Sequence, residues 1–200
     1  MRKVDPALHR AKRRQIMDAA APLFAAQGFD GTSVAEIRKA AGISSGALFH
    51  YFPSKRAIFA AILTDEEGDN SEKIAAARAG DDPWGALLEL VEHLAAPAAN
   101  PVAPNLVLEG LLQSHRDPEL AALLERDSQT EHDTMVLLLA RAAEAGQVEL
   151  PLDTEETASW IQTLIGSLFL RAATETGFDA AEQVRNLRLL ITRFVRGAED

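Results

Sequence analysis

Three groups of residues in this chain carry side chains that could do chemistry. The first is Gly42-Ile43-Ser44-Ser45-Gly46, where Ser44 stands between two glycines at the spacing of a nucleophile elbow. An elbow raises its serine on a strained turn between a buried strand and a helix, and needs an Asp and a His to activate it. Here an amphipathic helical pattern precedes the serine, and no strand signal exists to build a sheet. The chain is expected not to be an enzyme. The second group is His93, His115 and His132, with Glu89, Glu92, Glu109 or Glu131 as partners. Glu89 and His93, four apart, share a helical face. A carboxylate-bridged bundle site needs a Glu-x-x-His pair on each of two helices, and that pair is missing, so these histidines read as solvated surface. The chain has no cysteine, which excludes disulfides and thiolate sites. No metal and no cofactor is expected.

The third group lies within residues 32–56. Ser33 can cap a helix while Glu36 reaches back to it. Val34, Ile37, Ala40 and Ala41 give that helix a buried face, and Gly42 permits a sharp turn. Ile43 and Leu48 are spaced to lock a second helix onto the first, and Pro53 ends it. Ser44, Ser45, Gly46, Phe49 and His50 are left facing outward. Small residues at the start of such a helix allow close approach to base edges, and Phe49 can touch a thymine methyl. Tyr51 and Lys55 offer a hydroxyl and a charge for phosphates, Lys55 from a helix start where N–H groups already favour an anion. This is the layout of a helix-turn-helix whose second helix enters a DNA groove.

The charge distribution agrees. The formal net charge is −10, but residues 1–63 hold ten Lys/Arg against four Asp/Glu, and residues 64–200 hold ten against 26. A basic end on an acidic body suits a polyanion partner for the first third and repels it elsewhere.

Residues 12–56 resemble the DNA-binding domain of the TetR family of transcriptional regulators. The resemblance is carried by Thr32-Ser33, Ile37, Ala41-Gly42-Ile43-Ser44, Gly46-Ala47-Leu48-Phe49-His50-Tyr51-Phe52 and Ser54-Lys55, after a basic first helix that ends at Gly28-Phe29. It implies that Thr32, Ser33, Ser44, Ser45, Gly46, Phe49, His50, Tyr51 and Lys55 occupy DNA-contacting positions. Where many members have Tyr this chain has Phe49, so one hydroxyl contact is lost. With no Arg or Lys at the exposed start of the reading helix, specificity is expected to rest partly on apolar contact and DNA shape. Arg2, Lys3, Arg10, Lys12, Arg13 and Arg14 could add phosphate or minor-groove contacts.

The elements that must hold this segment are helices. Asp5-Pro6, Asp82-Pro83 and Asp117-Pro118 each precede an apolar-periodic stretch. In each, Asp suits the N-cap and Pro the first helical position. The first helix is expected from Pro6 to Gln27, with Ile16, Ala20, Leu23 and Phe24 on one face and Gly28 as its stop. The fourth, capped by Ser54, is expected to continue as far as Ala79. Further helices are expected near 83–95, 104–115, 118–145, 154–176 and 180–196, with capping pairs at Asp153/Glu156 and Asp179/Glu182. The expected fold is all-α, with about nine helices, a DNA-binding domain over 1–53 and a helical effector-binding and dimerisation domain over 54–200. No apolar run approaches the roughly 20 residues that span a bilayer. The basic N-terminus lacks the apolar segment of a signal peptide. A cytoplasmic location and no membrane partner are expected.

In the body, Trp84, Leu88, Val91, Leu106, Leu111, Met135, Leu139, Trp160 and Phe169 could line a cavity, with Asn105, Gln113 or Gln162 as polar anchors, or could be plain core. The resemblance implies a small-molecule effector there, whose identity the chain leaves open. Ile161, Leu164, Ile165, Leu168 and Ala172, then Val184, Leu187, Ile191 and Phe194, resemble the helix pair that forms the family's four-helix dimer interface. Part of that set must serve the protomer's own core. One short reading helix binds weakly, whereas two about one helical turn apart read a palindromic operator in double-stranded DNA. A homodimer is therefore expected, acting as a repressor released when an effector shifts the fourth helix.

Overall fold

Asp-Pro pairs, capping serines and glycine stops punctuate the chain into helices, and the computed structural model, which describes residues 5–64 and 70–196, follows them. Ten α-helices and one 3-10 turn are present among the described residues, and no strand. They are α1 (Pro6–Gly31), α2 (Val34–Ala40), α3 (Ser45–Tyr51), α4 (Lys55–Leu63), α5 (Asn70–Ala79), α6 (Pro83–Ala95), the 3-10 turn (Ala96–Ala99), α7 (Ala103–Ser114), α8 (Pro118–Glu144), α9 (Thr154–Thr174) and α10 (Ala180–Arg196).

The caps work as the residue types require. Asp5 accepts from the N–H of Ala7, Asp82 from that of Gly85, and Asp117 from those of Glu119 and Leu120. Ser33 and Glu36 form the reciprocal capping box. Asp153 and Asp179 accept from the N–H groups of Glu156 and Glu182. At the end of α2, Gly42 sits at φ 66°. Its N–H bonds to Lys39 O while that of Ile43 bonds to Arg38 O. Those two bonds make a Schellman stop that turns the chain into α3.

Two expectations change in detail. α1 breaks at Gly28 as expected, but Phe29–Gly31 add one more turn beyond the break. The single helix expected from Ser54 to Ala79 is two helices, α4 ending with Thr64 as its cap and α5 starting at Asn70. The run Asp65-Glu66-Glu67 would place three carboxylates on the negative end of α4, an unfavourable continuation. Residues 65–69 themselves lie outside the described residues.

The chain divides into two compact units, residues 1–68 with 105–124, and residues 69–104 with 125–200. The first adds α4, α7 and the start of α8 to the segment 1–53. Its core is Ile16, Met17, Ala20 and Phe24 of α1 with Ile37, Leu48, Phe52, Ile58 and Phe59, all at most 5% exposed. Phe24, Phe29 and Phe59 pack ring against ring with centroids 4.9–5.9 Å apart. The two fully buried rings, Phe24 and Phe59, each stabilise the unit by about 2–3 kcal/mol.

The second unit packs α6, α9, α10 and residues 125–144 of α8 around Leu87, Val91, Met135, Leu138, Ile161 and Ile191. Arg141 closes the end of α5, donating to the carbonyls of Arg78 and Gly80 at 2.8 and 2.6 Å. This burial takes up five of the residues read from the sequence as a dimer face. Ile161, Ile165, Leu168, Leu187 and Ile191 are at most 8% exposed within the single chain, and a side chain so enclosed has no surface to offer a second copy. Leu164 and Phe194 are half-buried. The exposed apolar residues of α9 and α10 are Trp160, Leu170, Leu189 and Leu190, at 51–56%.

Candidate nucleic-acid interface

Leu48 is fully buried, and it pins α3 so that the opposite side of the helix looks outward. That side carries Ser44, Ser45, Gly46, Phe49 and His50, all exposed, with Phe49 at 49%. A large apolar ring left in water on a seven-residue helix is costly unless something covers it. Ser44 caps α3, accepting from the N–H of Ala47 at 3.2 Å, so its hydroxyl is already half engaged. Ser33 is engaged too: its hydroxyl donates to Glu36 Oε2 at 2.6 Å, and these bonds hold the Glu36 carboxyl below its usual range. Ser45 is the exposed serine whose position at the first helical residue leaves its side chain to a partner.

The far end of α3 is braced from α1. Arg13 donates Nη1 to Tyr51 O at 2.9 Å and lies 4.1 Å from the centroid of Phe52. Gln15 donates to Ala41 O at 2.9 Å. His9 on α1 brings its ring to 5.1 Å from Tyr51 and 6.4 Å from His50, which is itself 5.0 Å from Tyr51. Sequence reading missed His9. The signal was its place one turn before Arg13 on the same face of the basic helix. Arg13 supports α3, and Lys12 bonds to Gln15 at 3.0 Å. Arg2 and Lys3 lie outside the described residues.

Two expected residues are withdrawn from the outward face. Thr32 is 1% exposed and donates its hydroxyl to Gly28 O at 2.8 Å. Lys55 directs its ammonium inward to Phe29 O at 2.6 Å and Thr32 O at 2.8 Å, over the Phe29 ring. Both build the frame behind the reading helix.

The residues expected around an effector are divided between the two units. Trp84, Leu88, Val91, Met135 and Phe169 are buried in the second unit, but Trp160 is half exposed. Asn105 and Gln113 belong to the first unit, Asn105 exposed and Gln113 bonded to Glu109. Two grooves occur in the second unit. One of about 330 Å³, between α5 and α6, is lined by Lys73, Ala77, Asp81, Glu89 and Leu90 among others. The other, of about 440 Å³, between α8 and α9, is lined by Glu125, Ser128, Gln129, His132, Glu155, Ser159 and Gln162. Of the anchors read from the sequence, Gln162 lines the second of these grooves. Its amide donates to Ser128 O and accepts at His132 Nδ1, while His132 Nε2 faces Glu155 at 2.9 Å. The bond to Glu155 raises the His132 pKa. His93 bonds to Asn70 at 2.8 Å. Neither histidine is the free surface group expected.

A capped helix, a Schellman turn at glycine and a short second helix with a solvent-facing apolar and hydroxylic side define a helix-turn-helix DNA-binding protein. Residues 16–62 match the model of the bacterial regulatory proteins of the tetR family, and residues 86–196 that of the BetI-type transcriptional repressor C-terminal domain. The chain belongs to the TetR family of transcriptional regulators and carries a BetI-type C-terminal domain. It is similar to the transcriptional repressor AcnR of Corynebacterium efficiens, 23% identical over 175 residues, covering 88% of this chain and 89% of that protein. A transcriptional regulator from Saccharomonospora viridis, solved in complex with choline, shares the fold at TM-score 0.75 and 22% identity, covering 92% of this chain and 96% of that one. FadR from Bacillus subtilis, in complex with stearoyl-CoA, shares it at TM-score 0.74 and 17% identity, covering 92% and 99%. No helix among the described residues is long and apolar enough to cross a membrane.

Proposed function

We propose that this regulator is a homodimeric, cytoplasmic repressor that a small molecule releases from a palindromic operator. The observation that carries the reading is the exposed row Ser45, Gly46, Phe49 and His50 on a helix otherwise locked into its unit. In this reading Phe49 meets a thymine methyl, Ser45 and the bare backbone at Gly46 approach base edges, and His50 and Tyr51 serve flanking phosphates. Ser33 and Ser44 cap α2 and α3, and Thr32 and Lys55 hold the geometry from behind. The exposed Trp160, Leu170, Leu189 and Leu190 support pairing of two copies, because four large apolar side chains left in water on α9 and α10 are what a partner helix pair would cover.

The effector acts by its differential affinity for the DNA-competent and DNA-released states. Choline and stearoyl-CoA, ligands of two proteins that share the fold, are the first probes to apply. Selection of bound fragments from genomic DNA tests the reading directly. A palindrome should emerge, and duplex binding should weaken as salt rises. Failure to enrich any sequence at low salt overturns it. Equal operator affinity with and without every ligand that binds the protein overturns the switching part alone.

A further inference from the structure

Phe29 is held at both of its backbone polar groups by side chains from other helices. Its N–H donates to Glu109 Oε1 of α7 at 2.8 Å, and its carbonyl accepts from Lys55 Nζ of α4 at 2.6 Å. The carboxylate is itself oriented, since Gln113, one turn further along α7, donates Nε2 to the same oxygen at 2.9 Å. Gly28 allows the approach: a Cβ there would stand 3.4 Å from Glu109 Oε2. Beside Glu109, Gly110 lies so close to α4 that a Cβ would come within 2.9 Å of a methyl of Leu63. At the opposite end of α4, Arg56 is bonded to Asp117 and Glu119 at the start of α8. One stretch of chain, Glu109 to Glu119, thus grips both ends of α4 and the corner through which α1 leads into α2.

We infer that Glu109 is a positioning residue for DNA recognition, fixing through the Phe29 N–H the angle at which α2 and α3 leave α1. This rests on the DNA-reading role proposed above for α3. The corner Phe29–Thr32 is a single short turn beyond Gly28, whose non-helical φ and ψ leave the Phe29 N–H to a partner outside the α1 backbone. Glu109 supplies that partner. Without it, a half-buried donor is orphaned and the corner loses its only tie to α7 described at that amide. Reading helices must be held within about 0.5 Å of their productive geometry, so a loosened corner costs base readout before it costs phosphate attraction.

The test compares the full-length protein with Glu109→Ala, Glu109→Asp and Glu109→Gln, on a duplex recovered by genomic selection and on the same duplex with scrambled half-sites. Aspartate keeps the charge but falls short by one methylene, whereas glutamine keeps the reach and the acceptor. Where the alanine variant does not fold, the aspartate variant carries the test. In variants that remain fully helical by circular dichroism at the assay temperature, Ala and Asp should lower the ratio of specific to scrambled affinity about tenfold, about 1.4 kcal/mol, while Gln should stay within about twofold. The salt slope should not change, because no phosphate contact is removed. A merely structural role would lower the melting temperature and leave this ratio at its wild-type value. Wild-type ratios in Ala and Asp, or a Gln variant as impaired as Ala, would overturn the inference. A wild-type protein that discriminates between no duplexes would instead overturn the DNA-reading proposal itself.

Discussion

At Lys55 the ammonium that a sequence reading offers to a phosphate is already bonded to the carbonyls of Phe29 and Thr32. The two roles make opposite predictions. If Lys55 acts as part of the frame, Lys55→Met should destabilise the protein by about 2 kcal/mol, lowering the melting temperature by about 4–8 °C. The slope of log affinity against log salt should then be unchanged, whereas a lost phosphate contact would reduce it by about 0.9. Titrating a duplex at several salt concentrations, below the melting temperature of the variant, decides between them. A second residue-scale prediction concerns Glu131. Burial, with Asp127 one turn away, pushes its carboxyl up to about 7. An acid raised in the folded state favours folding while both states are protonated, and that advantage is lost as pH rises from its unfolded value of about 4.3 through 7. Glu131→Gln should therefore melt several degrees above the wild type at pH 8 and match it at pH 4. A melting-temperature difference that does not vary with pH would refute this. The bond to Glu155 raises His132, so the stability it adds is also lost as pH rises, through a range beginning near the ordinary histidine value.

Among the elements, the turns separate glycines that need only a backbone from glycines that also need space. Gly42 sits at φ 66° with nothing within 4 Å of where a Cβ would stand. Gly28 combines φ 72° and ψ 172°, a region essentially reserved for glycine, with the Glu109 carboxylate at 3.4 Å. Gly42→Ala should cost about 1 kcal/mol and Gly28→Ala about 2–3 kcal/mol, read from urea midpoints at constant m. Equal costs would mean that Glu109 makes way without loss. The caps and stops themselves were legible in the sequence, because capping is a local contract among three or four neighbours. Ser33 with Glu36, the three Asp-Pro pairs and the Gly42 turn all formed where their residue types required. The end of α4 was not legible, because no glycine or proline stands within three residues of Thr64 to mark it.

For the whole molecule, the apolar stripes of α9 and α10 posed a question that periodicity cannot answer. Each helix is apolar on more than one side, and only the neighbours decide which side becomes core. Ile161, Leu187 and Ile191 went inward, and Trp160, Leu170, Leu189 and Leu190 stayed out. Leu170→Glu with Leu189→Glu should therefore yield a folded monomer with weakened operator binding. Ile161→Glu should fail to fold, since it buries a charge with no partner. Sedimentation of the double variant as a dimer would place the pairing surface elsewhere. The same ambiguity scattered the expected effector residues: an apolar residue at helical spacing is core or cavity wall depending on what fails to fill the space beside it.

The sequence by itself determined the helices, their caps, the helix-turn-helix and the outward set Ser45, Gly46, Phe49 and His50, because each depends on residues within one or two turns of one another. Only the tertiary structure decided that Thr32 and Lys55 face inward, that His9 joins His50 and Tyr51, and that Glu109 holds the Phe29 amide across 80 residues of chain. Those pairings depend on which helices meet and at what angle. That is set by the packing of cores such as Phe24–Phe29–Phe59, and no pattern along the chain records it.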